Sequence, residues 1–147
     1  MDMEYSNKIE LNFLALSQNQ AFARVAVAAF ATGLNPTLSE ISEIKTAVSE
    51  AVTNAIIHGY EQEIDDNECM VVVRCYIVDT EIFIEVQDSG QGIEDIQQAR
   101  EPLYTSKPGE ERSGMGFTIM EEFMDEVTVT TQLGQGTIVK MRKKIDN

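Results

Sequence analysis

The chain has 147 residues, 43% of them hydrophobic and 24% charged, which fits one globular domain and excludes a disordered chain. Lys and Arg number 11 against 25 Asp and Glu, a formal charge of −14 that argues against nucleic acid as a partner. No basic segment followed by an apolar one opens the chain, and the longest helix-compatible apolar stretch, 21–34, contains Arg24 and Gly33 and is too short to span a bilayer, so a cytoplasmic protein with no membrane partner is expected.

In chain order, Lys8 to Leu16 carries Ile9, Leu11, Phe13 and Leu14 in partial alternation and predicts a first strand. Ser17 and Gln20 have capping-box spacing and open a helix whose apolar positions Phe22, Val25 and Ala29 recur at helical intervals, closed by Gly33 and Pro36. Thr37 and Glu40 form a second capping-box pair. The helix they start has the apolar stripe Ile41, Ile44, Val48, Ala51, Val52 and Ala55 and is expected to run to about His58 before Gly59.

The acidic stretch 61–68 is expected to be a solvated connector, since it lacks the glycine and ligand spacing of a calcium loop. Val71 to Val78 and Ile82 to Val86 read as a hairpin around Asp79, Thr80 and Glu81. Cys69 and Cys75, six residues apart along the first of these strands, are separated by roughly 20 Å and cannot bridge each other. A short helix over Phe117 to Met124 and two strands, Val127 to Thr131 and Thr137 to Met141, complete the pattern. Antiparallel pairs with helices gathered on one face predict an α+β, two-layer sandwich forming a single domain over 1–147. The long irregular stretch between Ile93 and Met115 is expected to be a functional lid.

Three glycine pairs stand out: Gly90-Gln-Gly92, Gly114-Met-Gly116 and Gly134-Gln-Gly136. None continues into a dinucleotide fingerprint or a Walker loop, which disfavours Rossmann and P-loop nucleotide binding. Gly114-Met115-Gly116 directly precedes a helix, so unpaired backbone N–H groups there suit an anion. In so acidic a chain a polyphosphate would also need Lys107, Arg112 and a divalent cation. Glu50 and Asn54 lie one helical turn apart, off the apolar stripe, and such an oxygen-only pair suits Mg²⁺. His58, the single histidine, fits a cap at the end of its helix.

The string Glu50-Ala-Val-Thr-Asn-Ala-Ile-Ile-His-Gly-Tyr60, then Asp88-Ser-Gly-Gln-Gly92, Arg112-Ser-Gly-Met-Gly-Phe117 and Gly136-Thr137, resembles the N, G1 and G2 boxes of the GHKL ATP-binding superfamily. With Ala15-Leu-Ser-Gln-Asn19, Pro102-Leu-Tyr-Thr-Ser-Lys-Pro108 and the stretch from Glu111 to Asp125, the resemblance extends over nearly the whole chain to the anti-sigma F (SpoIIAB) family of serine kinases.

The resemblance implies the GHKL (Bergerat) sandwich, ATP and ADP as nucleotides, and Mg²⁺. It gives Glu50 the place of the general base, Asn54 that of the Mg²⁺ ligand and Asp88 that of the acceptor for the adenine amino group. Gly90 and Gly92 fall in the same box as Asp88, with Gly92 permitting close approach of the ring. Gly114, Met115 and Gly116 match the phosphate-facing turn; Thr105, Ser106 and Lys107 fall in the lid; Thr137 matches a late threonine of the adenine pocket, and Arg112 a phosphate contact. Arg24 matches a partner-contacting arginine, while Gln20 stands where the family is expected to be acidic. The partners implied are the RNA polymerase sigma F factor, the anti-anti-sigma factor SpoIIAA and a second copy of the chain in a homodimer. Open alternatives are a general-stress (sigma B type) anti-sigma kinase and an ATP-binding sequestration module without turnover. A gyrase or MutL fragment and a sensor histidine kinase are disfavoured, since the chain offers neither a transducer domain nor a phosphoacceptor helix pair.

Overall fold

The computed structural model describes residues 4–59, 69–89, 116–132 and 136–146. Five strands, β1 (Asn7–Leu14), β2 (Met70–Val78), β3 (Glu81–Asp88), β4 (Glu126–Gln132) and β5 (Gly136–Lys144), form one sheet in the order β1-β2-β3-β5-β4, every neighbouring pair antiparallel. Among the described residues three α-helices, α1 (Gln18–Ala31), α2 (Leu38–Gly59) and α3 (Gly116–Phe123), cover one face. This is the expected α+β two-layer sandwich.

Alternation decides which side chains meet the helices. Val71, Val73, Cys75 and Ile77 on β2, and Ile82, Ile84, Val86 and Asp88 on β3, all point to the helix layer and are buried. Ile44, Ala47, Val48, Ala51, Val52 and Ala55 of α2 complete the core against them, with Phe117 and Met120 from α3. On the opposite face Tyr76 stacks on Phe83 with ring centroids 5.1 Å apart, and Arg74 and Arg142 tie neighbouring strands through Glu10, Glu85, Glu81 and Glu126.

The Thr37 and Glu40 capping box forms as read: the Thr37 N–H donates to Glu40 Oε1 at 2.8 Å and the Glu40 N–H to Thr37 Oγ1 at 3.1 Å. The Ser17 box does not. Ser17 is already in right-handed helical conformation (φ −58°, ψ −29°), its side chain makes no capping bond, and Asn19 instead ties the entry to β1 by donating to the Leu14 carbonyl at 3.0 Å. β1 accordingly ends at Leu14 rather than Leu16.

The face of α1 also differs from the reading. Ala23, Val27 and Ala31 are buried, while Phe22 and Val25 are more than half exposed and Ala29 is exposed. Small residues let α1 lie close to α2, so the alanines and Val27 go inward and the bulky Phe22 is left outside. After Ala31 a 3-10 turn (Thr32–Leu34) and a left-handed Asn35 redirect the chain into Pro36. The β2–β3 hairpin turns on Asp79 and Thr80, with Asp79 left-handed. Cys69 and Cys75 are both free thiols, as expected.

Candidate functional site

Two groups of residues, both on the helix side of the sheet, hold the described part of the site. The first is a row across three strands. Asp88, at the end of β3, pairs in register with Thr137 on β5, and Thr137 pairs with Thr131 on β4. Asp88 and Thr137 are both buried at 6% exposure, and the Thr137 and Thr131 hydroxyls lie 2.9 Å apart in a hydrogen bond. A buried carboxylate beside two hydroxyls is a hydrogen-bonding platform in an otherwise apolar layer, suited to a flat polar heterocycle.

Gly136 makes this row possible. Its φ of +106° is one that side-chain-bearing residues rarely adopt, and a Cβ there would stand 2.8 Å from Ser89 Cα and overlap the Asp88 carbonyl group. The end of β5 therefore passes against the end of β3 with no room for a side chain. Thr131 was not among the expected site residues. Hairpin arithmetic holds the signal for it, because residues equidistant from Gly134 pair across β4 and β5, and 131 then faces 137.

The second group lies on α2. Glu50 and Asn54 are half-buried, one turn apart, beside the Ala51, Val52 and Ala55 face that packs on the sheet. Glu50 also lines a groove of about 390 Å³ between α1 and α2, together with Gln20 and Arg24 from α1 and Ser42, Lys45, Thr46, Ser49 and Thr53 from α2. Two polar atoms in this groove, Arg24 Nε and Ser49 Oγ, are buried without a hydrogen-bond partner. Buried polar atoms left so cost on the order of 1–3 kcal/mol each, a cost that a docked ligand removes. Thr53 instead donates to the Ser49 carbonyl one turn back at 2.6 Å. Arg24 thus sits in the groove, whereas the apolar pair flanking it in sequence, Phe22 and Val25, is exposed.

α3 begins at Gly116, which is buried, and packs against α2. Its far end is held by Lys143, whose Nζ donates to the Phe123 carbonyl at 2.8 Å and pairs with Glu43 of α2 at 3.1 Å. Gly90, Gly92, Thr105, Ser106, Lys107, Arg112, Gly114 and Met115, the 61–68 connector, the lid and the side chain of His58 lie outside the described residues. Among the described residues no group of three or more His, Cys, Asp or Glu side chains could hold a metal, and no helix is long and apolar enough to cross a membrane. The donor set on offer, the Asn54 amide oxygen one turn from a carboxylate, fits Mg²⁺ only as an ion that takes most of its ligands from water and phosphate.

Residues 14–143 match the family model described as histidine kinase-like ATPase domain. The chain is 56% identical over 143 residues to the anti-sigma F factor of Thermoanaerobacter sp. (strain X514), covering 97% of both chains. It is 59% identical over 139 residues to that of Clostridium acetobutylicum, covering 94% of both. This chain belongs to the anti-sigma F family of histidine kinase-like ATPase domains. ATP binding is the property that comes with such a domain. Among solved structures, the RsbU and RsbW domains of Rv1364c from Mycobacterium tuberculosis superpose with a TM-score of 0.67 at 18% identity over 95% of this chain and 32% of that one. The mycobacterial sensor histidine kinase MprB gives a TM-score of 0.55 at 22% identity over 71% of this chain and 72% of that one. Both likenesses speak to the fold, and place this member of the anti-sigma F family on the same sandwich.

Proposed function

We propose that the chain is a Mg·ATP-dependent serine kinase that also sequesters a sigma factor. The observation that carries this reading is that Glu50 and Arg24 line one groove, so that a carboxylate base and a partner-contacting arginine meet the same docked protein. Asp88 accepts from the adenine amino group, with Thr137 and Thr131 completing the polar edge, and Gly90 and Gly92 admit the ring. Gly114, Met115 and Gly116 present backbone N–H groups to the phosphates at the start of α3. Thr105, Ser106, Lys107 and Arg112 are assigned to the phosphates by the family resemblance. Asn54 would hold Mg²⁺, which when bound neutralises charge on the phosphate oxygens.

The acceptor is a serine of the anti-anti-sigma factor SpoIIAA. Its Oγ attacks the γ-phosphorus, the bond from that phosphorus to the β,γ-bridging oxygen breaks with its electron pair leaving on ADP, and Glu50 takes the hydroxyl proton. The test is mass spectrometry of SpoIIAA after incubation with the chain and Mg·ATP. One phosphoserine is expected, and Glu50→Gln is expected to lower the transfer rate by about a hundredfold or more while leaving nucleotide binding in place. Transfer at the wild-type rate by that variant removes Glu50 from the mechanism.

Sequestration of sigma F is the second activity, supported by the anti-sigma F names of relatives at 55–59% identity and by the exposed Phe22 and Val25 beside Arg24. A homodimer in the ATP state binds sigma F, and unphosphorylated SpoIIAA displaces it, so the nucleotide acts through its different affinities for the two partner-bound states. Simultaneous, independent binding of both proteins in a competition titration would contradict this. The names of those relatives favour sigma F over a general-stress factor as the target, and the groove containing Glu50 favours turnover over passive nucleotide binding.

A further inference from the structure

The groove between α1 and α2 holds a second cation that the mechanism above does not use. Lys45 lies on α2 and, like Arg24, makes no ion pair among the described residues, although the chain carries a net charge of −14. Among the described residues Lys8, Lys140 and Lys144 also make no ion pair, and what distinguishes Lys45 is its place beside Arg24 in the groove. Other basic side chains, Arg74, Arg142 and Lys143, are each bound to a carboxylate.

Two i, i+4 rows of α2 form the floor. Ser42, Thr46 and Glu50 make one, and Lys45, Ser49 and Thr53 make the other. Five residues of α-helix rise about 7.5 Å and turn through about 140°, which puts the Cβ positions of Lys45 and Glu50 about 10 Å apart on opposite lips of the groove. An extended segment covers that distance in about three residues. A hydroxyl at the Glu50 lip therefore places the side chain about three residues away within reach of Lys45.

We propose that Lys45 is a specificity-determining residue that pairs with a carboxylate of the acceptor protein about three residues from the phosphorylated serine. The inference rests on the kinase reading above. The occupant of the groove is thus an extended acidic segment, its carboxylate held at one lip and its hydroxyl presented to the base at the other, with Arg24 and the buried Ser49 hydroxyl supplying the hydrogen bonds they lack in the free protein. Opposite charge across a docking surface selects the partner and fixes its register.

The experiment compares steady-state phosphorylation of SpoIIAA by the wild type, Lys45→Glu, Lys45→Ala and Lys45→Arg, with ATP affinity measured by calorimetry as the check on folding. Lys45→Glu is expected to raise KM for SpoIIAA at least tenfold with kcat and ATP affinity within twofold, Lys45→Ala to raise it less, and Lys45→Arg to stay near wild type. Reversing the charge of the acidic residue near the acceptor serine is expected to restore KM for Lys45→Glu. A KM within twofold of wild type for Lys45→Glu, or a fall in kcat at unchanged KM, overturns the proposal. Should Lys45→Glu not fold, Lys45→Ala decides on the same readouts. If the wild type binds Mg·ATP but transfers no phosphate, the kinase reading fails separately, and SpoIIAA binding in the presence of nucleotide becomes the readout. A tenfold weakening by Lys45→Glu then upholds the recognition role, and equal binding, or no binding by the wild type, overturns it.

Discussion

Gly136→Ala is expected to damage stability and nucleotide binding together. The added Cβ would lie 2.8 Å from Ser89 Cα and 2.9 Å from the Asp88 carbonyl carbon, both backbone atoms at the end of β3, at a residue whose φ is +106°. A side-chain-bearing residue held in such a conformation costs about 1–3 kcal/mol. Forcing a methyl group into a filled space costs about 1–3 kcal/mol more. The sum, about 2–6 kcal/mol, is a large share of the 5–15 kcal/mol typical of a domain. At about 3 °C per kcal/mol for a chain of this size, Tm falls by about 6–18 °C. Because the displaced backbone carries Asp88, proposed above as the acceptor for adenine, ATP affinity is expected to fall as well, and a stability loss elsewhere in the sheet would not by itself produce that. Thermal unfolding followed by calorimetry with ATP on the remaining folded protein reads both effects. A variant with Tm within about 1 °C of wild type and unchanged affinity would refute the close approach of β5 to β3.

Further expectations concern the helix ends and the thiols. Thr37→Ala removes one half of the capping box and is expected to cost about 1 kcal/mol in urea unfolding. The Thr37 backbone N–H, outweighing partial burial, holds the Glu40 carboxyl below its ordinary 4.5, so its contribution is present above that value and disappears as pH falls through the lower folded one. The stability gap between wild type and Glu40→Gln should accordingly close on acidification from pH 6 to pH 3. Burial, with a smaller push from Glu85, raises the Cys75 thiol to about 12, so its contribution to stability is full below the ordinary 9.0 and is lost as pH rises toward 12. Neither Cys69 nor Cys75 should react with a thiol reagent at pH 8 until denaturant is added. Lys143→Ala strips the Phe123 carbonyl of its partner and leaves Glu43 unpaired, and is expected to lower stability by about 1–3 kcal/mol in the same urea assay.

What could be read from the sequence depended on the range of the interaction that fixes each feature. The Thr37 and Glu40 box and the β2–β3 hairpin are set within a few residues and appear as read. The stripe of α2 likewise faces the core, with Ile41 partly buried and packed against it. α1 was misread because a helix with alanine on nearly every side offers little contrast, and its orientation is chosen by how closely it can approach α2. Ser17 has the right spacing for a cap but the wrong backbone conformation, which depends on how β1 ends. In the candidate site, Glu50 and Asn54 are neighbours by helix geometry alone, whereas the Asp88, Thr137 and Thr131 row depends on pairing across three strands. The groove with Arg24 and Lys45 required two helices to be placed side by side.

β5, although late in the chain, lies inside the sheet between β3 and β4. During synthesis β1, β2 and β3 leave the ribosome with the β3 edge unpaired, and Asp88 waits at that edge for Thr137. Nascent chains arrested before residue 136 therefore lack the Asp88 and Thr137 pairing and are expected to associate through the bare β3 edge until β5 emerges to cover it.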